Sequence, residues 1–118
     1  MSTTPKAPSH LSDATRVWWR EVVKAYALES HHLRLLQAAC ECWDRLQEAR
    51  QILAREGLVI GGREGGVRPH PAVAIERDSR LAFARLIREL DLDTELPATG
   101  ARPPALRSNR RGGVGYAG

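Results

Sequence analysis

The sequence predicts a mainly α protein: a long helical hairpin, a small β-hairpin and a third helix suited to oligomerisation, with flexible termini. Three observations carry this. Apolar residues recur at helical spacing in three segments, two of them 20 residues or longer. A glycine-rich stretch, "LVIGGREGGVRPHP", separates the second segment from the third. The two ends lack apolar periodicity altogether. The expected organisation is a flexible lead-in over residues 1–10, one helical domain over 11–96 and a basic, disordered tail over 97–118.

Ser12 and Asp13 supply N-cap chemistry for a first helix that runs to about Tyr26. Within it Trp18, Val22 and Tyr26, flanked by Trp19 and Val23, form an anchoring face. The two adjacent tryptophans point about 100° apart, a broader apolar arc than one partner helix needs. A long second helix follows from about Ser30 to Glu56, closed by Gly57 where a left-handed residue is favoured. Its seam is Leu35, Ala39, Cys42, Leu46, Ala49 and Leu53, widened by Leu36 and Trp43. Glu41 and Arg45 stand one turn apart and predict an opposite-charge pair.

The stretch after Gly57 reads as a tight β-hairpin. Its glycines permit positive φ, and Pro69 limits the return strand; an irregular loop is the alternative. A phosphate-binding loop does not fit, because neither glycine pair leads into Gly-Lys-Ser/Thr at a helix start. Pro71 then opens a third helix that ends near Leu90.

That third helix has two faces. Ile75, Ser79, Ala82, Phe83, Leu86 and Leu90 form the expected core side. Roughly opposite lie Val73, Arg77, Arg80, Leu81, Ala84, Arg85 and Arg88, which alternate arginine with small or apolar residues. Such a strip suits a subunit interface, since guanidinium groups stack, pair bidentately and dehydrate more readily than ammonium. A nucleic-acid or pore-lining surface and a solvated face are the alternatives. The second helix argues for a neighbour too. At roughly 40 Å it should overhang a compact globule of roughly 30 Å.

The chain has 118 residues, 42% of them hydrophobic, enough for one modest core and too few for a large enzyme core. No apolar run approaches the ~20 residues that span a bilayer, and "MSTTPKAPSHLSD" lacks a signal peptide's apolar stretch, so a soluble intracellular protein without membrane partners is expected. Cys40 and Cys42 lie about 200° apart on one helix and cannot pair with each other. They read as reduced core residues.

Of 18 basic and 14 acidic residues, Arg102, Arg107, Arg110 and Arg111 lie beyond residue 96 with no acid among them, which leaves 14 of each sign before that point. The excess charge therefore sits on the tail, a Pro-, Gly- and Arg-rich segment expected to order only on an anionic partner. Arg16, Arg20 and Lys24 add a four-spaced basic stripe on the first helix. Together with the tail they are the candidate DNA contacts.

Enzyme chemistry finds no footing. GxSxG and HExxH are absent, Glu76 and Asp78 point about 200° apart, and His31 stands roughly 16 Å of helix from Cys42. No catalytic residue, metal ligand or cofactor is expected.

In order, "HLSDATRVWWREVV", "LESHHLRLLQAACECWDRLQEAR", "EGLVI" with its glycine-rich reversal, "HPAVAIERDSRLAFARLIRELDLD" and "RPPALR" resemble the P27 family of phage terminase small subunits, the class that includes those of HK97-like tailed phages. The resemblance spans about residues 8–107. It implies a DNA-packaging factor in the infected host's cytoplasm that forms a homo-oligomeric ring of 8–10 subunits. Its implied partners are double-stranded phage DNA and a large subunit that holds the ATPase and nuclease. It also implies that the helix from Pro71 helps to build the ring. The helix-turn-helix of some other small terminases is not evident. Two other readings remain open: a small dimeric DNA-binding transcriptional regulator, and a structural adaptor that binds only protein.

Overall fold

The computed structural model of the chain describes residues 4–92, and it has the mainly α architecture that the sequence predicts. The elements are α1 (Asp13–Ala25), α2 (Ser30–Glu56), β1 (Val59–Gly61), a single 3-10 turn (Arg63–Gly65), β2 (Val67–Pro69) and α3 (Pro71–Leu90). α2 and α3 lie antiparallel as a long hairpin. α1 packs across the end where α2 begins and α3 finishes, joined to both through a cluster of Leu11, Trp19, Val22, Leu36, Cys40 and Leu90.

Each boundary has a local cause. Ser12 caps α1 by accepting from the Thr15 backbone N–H. Gly57 ends α2 at φ 87°, a region costly for residues with a Cβ. The two strands pair antiparallel, Ile60 opposite Arg68, and the reversal takes positive φ at Glu64 and Gly65. His70 then links hairpin to helix. Its backbone N–H donates to the Leu58 carbonyl at 2.8 Å. Its Nδ1 accepts from the Ala72 N–H at 3.0 Å, so the proton sits on Nε2, which donates to Glu56 at 2.8 Å. Asp91, in the left-handed region at φ 60°, ends α3.

The buried face of α3 is the one expected with one exception: Ser79 and Leu90 are buried, Ala82, Phe83 and Leu86 are half-buried, and Ile75 alone of that set is exposed, at 44%. Ala72 is buried as well. Small buried residues occur on both helices, Ala39 and Ala49 on α2 facing the same seam as Ala72 and Ser79 on α3. α3, about 30 Å long, runs beside α2, about 40 Å long, and so covers most but not all of its length.

Residues 5–11, read from composition as mostly flexible lead-in, lie against the helices. Trp19 Nε1–H donates to the Pro5 carbonyl at 3.3 Å, Leu11 is 2% exposed, and His10 Nε2 meets Glu41 at 2.8 Å. That last contact and Gln37 Nε2 at 3.0 Å both meet Glu41 Oε2, and Arg45 forms its ion pair with Glu48 at 3.4 Å. Cys40 is fully buried and Cys42 partly so, both as free thiols. Burial, reinforced by the Asp44 and Glu41 charges, pushes the Cys40 thiol up to about 12, which leaves it protonated and inert at neutral pH.

Candidate assembly and nucleic-acid surfaces

The outward face of α3 carries the strip singled out in the sequence. Arg77, Arg80, Leu81, Ala84, Arg85 and Arg88 are all exposed, and Val73 is half-buried at the margin. Leu81, at 54% exposure, is the apolar centre of an otherwise charged surface. The helix is held against α2 from below. Glu76, one turn before Arg80, accepts from Arg50 of α2 at 3.3 Å and pairs with Arg80 at 3.4 Å. Its partial desolvation opposes ionisation, but the two guanidinium groups outweigh that and keep its carboxyl below the usual glutamate value. Arg77 meets its neighbour Asp78 at 3.2 Å. Arg85 and Arg88 make no ion pair among the described residues. The strip therefore presents two exposed guanidinium groups beside Leu81 and Ala84.

The α1 stripe divides. Arg16 turns inward: its Nη1 donates to the Leu11 and Ser9 carbonyls at 2.7 and 3.1 Å, and its Nη2 pairs with Asp13. That guanidinium fastens the N-terminal segment to α1. Arg20 and Lys24 remain exposed. Lys6, which the spacing argument on α1 had no means to find, joins Arg16, Arg20, Thr4 and Ser9 around a surface cavity of about 540 Å³. The cavity exists because the Pro5–Trp19 and Ser9–Arg16 hydrogen bonds lay the segment alongside α1. Arg102, Arg107, Arg110 and Arg111 lie outside the described residues.

Asp44, which carries no signal in the apolar spacing, anchors α1 from α2. It accepts from the Ser12 backbone N–H at 2.7 Å, the Ser12 hydroxyl at 2.9 Å and the Thr15 hydroxyl at 2.6 Å. Partial burial pushes its carboxyl upward, but the hydrogen bonds from Thr15 and Ser12 prevail and hold it below the usual aspartate value. His31 and His32 stack with ring centroids 4.1 Å apart in the first turn of α2, and His32 Nδ1 accepts from the Glu29 N–H. Among the described residues no group of three or more His, Cys, Asp or Glu is placed to hold a metal ion, and no helix is long and apolar enough to cross a membrane.

A helical hairpin with one face buried on its own chain and an arginine-bearing face turned outward defines a small, mainly helical subunit. The family model described as phage terminase, small subunit, matches residues 15–97. That range runs through every helix described above, and the chain belongs to the phage terminase small-subunit family. Its role accordingly lies in phage DNA packaging, in the infected host cell. No curated protein and no solved structure matches the chain.

Proposed function

We propose that this subunit assembles into a homo-oligomeric ring through the outward face of α3, binds double-stranded phage DNA, and delivers it to the large terminase subunit. The observation that carries this reading is the exposed arrangement of Leu81 and Ala84 among Arg77, Arg80, Arg85 and Arg88, opposite a face already buried on α2. A lone subunit gains little from apolar residues there, whereas a neighbour covering them removes apolar area from water at about 25 cal/mol per Å². Family membership supports the same reading. The subunit itself performs no catalysis. Nucleotide hydrolysis and DNA cutting fall to the large subunit.

DNA contact is assigned to Arg20 and Lys24 on α1, with Arg16 as the strut behind them, and to Arg102, Arg107, Arg110 and Arg111 beyond the helical body. Each subunit then offers a few phosphate contacts, and a ring multiplies them through avidity. The test is the salt dependence of duplex binding. Replacing Arg107, Arg110 and Arg111 together with alanine should reduce the slope of log affinity against log salt by about 2 to 3. A wild-type chain with no salt-dependent affinity for duplex DNA would favour the adaptor reading. An unchanged slope in the triple variant would shift the contacts to α1.

A further inference from the structure

Trp18 of α1, Trp43 of α2 and Phe83 of α3 meet at one edge of the helical body. Phe83 lies 5.1 Å from Trp43 and 6.1 Å from Trp18 between ring centroids, in tilted geometry. Together with Ala14 and Thr15 the rings line an open groove of about 360 Å³, and Trp43 remains 38% exposed. Three large aromatic side chains from three helices are more than the seam between α2 and α3 requires. On α3, Phe83 and Leu81 point about 160° apart, so a neighbour seated on the arginine strip leaves this groove uncovered.

We propose that the groove holds the chain's own proline-rich segment around Pro103 and Pro104. Three observations converge on that occupant. The first is where the described chain ends. Asp91 turns the backbone off the α3 axis, and the Leu92 carbonyl accepts from the Tyr26 hydroxyl at 3.0 Å. The described chain thus ends beside α1, one wall of the groove. The second is length. Trp18 lies eight residues of α1 back from Tyr26, about 12 Å, while residues 93–102 can span up to about 33 Å. The third is chemistry. Consecutive prolines fix φ near −65°, and extended proline segments bind aromatic-lined grooves at little cost in ordering entropy. The sequence there, "ARPPALR", sets Arg102 and Arg107 on either side of the prolines. Glu21, exposed three residues beyond Trp18 on the same wall, carries no ion pair among the described residues and offers these arginines an opposite charge. Docking would fix the point from which Arg110 and Arg111 emerge, and so tie the tail to the helical body.

The test uses the full chain labelled with 5-fluorotryptophan, whose three fluorine resonances are assigned by single Trp→Phe variants. In the variant carrying Pro103→Gly and Pro104→Gly, the Trp18 and Trp43 resonances should move toward their solvent-exposed positions. Trp19, 3% exposed and bonded to the Pro5 carbonyl, should not move. A synthetic peptide of residues 99–108 added to that variant should return both resonances to their wild-type positions. Unmoved Trp18 and Trp43 resonances would overturn the proposal. It would be overturned equally if the two resonances report an occupied groove only in an assembled form and not after dilution to monomer, since a neighbouring copy would then be the occupant. Neither outcome depends on DNA binding, so failure here is distinguishable from failure of the packaging reading.

Discussion

Leu81→Asp is expected to collapse the assembly to monomers or dimers while leaving the helical content and melting temperature of the single chain almost unchanged. Leu81 is 54% exposed and touches no part of the buried core, so the subunit itself loses little; substitutions at such sites change stability by about 0.5 kcal/mol or less. The new carboxylate would stand one turn from both Arg77 and Arg85, positions at which opposite charges stabilise a helix slightly. An interface behaves differently. A carboxylate brought into its centre is desolvated, and each copy of the contact carries that cost, several kcal/mol if the charge is left unpaired. Measured by light scattering beside circular dichroism, a smaller mass with a native spectrum supports the strip as the interface. An assembly of unchanged mass would remove Leu81 from it.

Asp44→Ala should cost about 2–4 kcal/mol of folding stability, because a charged acceptor of three hydrogen bonds disappears and the buried Thr15 hydroxyl loses the acceptor for its proton. The effect should depend on pH. Asp44 has a lower pKa in the folded chain than its ordinary value of 3.8, so its ionised form stabilises the fold. That contribution is fully present above the unfolded value and is lost as pH falls through the folded one. Thermal melts should therefore show a gap between wild type and Asp44→Ala that is widest near neutrality and narrows below about pH 4. A gap independent of pH would mean that Asp44 acts through packing instead.

The features legible in the sequence were those fixed locally. Ser12 as a cap, Gly57 as a stop, the glycine-rich reversal and Pro71 as a helix opener each act within a few residues, and each stands where spacing places it. Contacts that join distant segments were not legible. Asp44 reaches Ser12 across 32 residues, His10 meets Glu41 across 31, and Arg45 forms its ion pair with Glu48 rather than with Glu41. The orientation of α3 was half legible. Periodicity separates the two faces and places Ser79, Phe83 and Leu90 correctly, but it does not show that Ala72 is buried while Ile75 lies at the exposed edge of the arc. The outward arginine strip was found because arginine mixed with leucine and alanine is unusual for a solvated face. The Lys6 cavity was not, because it depends on the lead-in folding back on α1.

The central claim is that this subunit works as a ring, and the mass of the native assembly tests it most directly. Native mass spectrometry of the wild-type chain at micromolar concentration should show a single closed species of 8–10 copies of a 13.1 kDa chain, about 105–130 kDa. A monomer or a two-fold dimer as the only species would contradict the account.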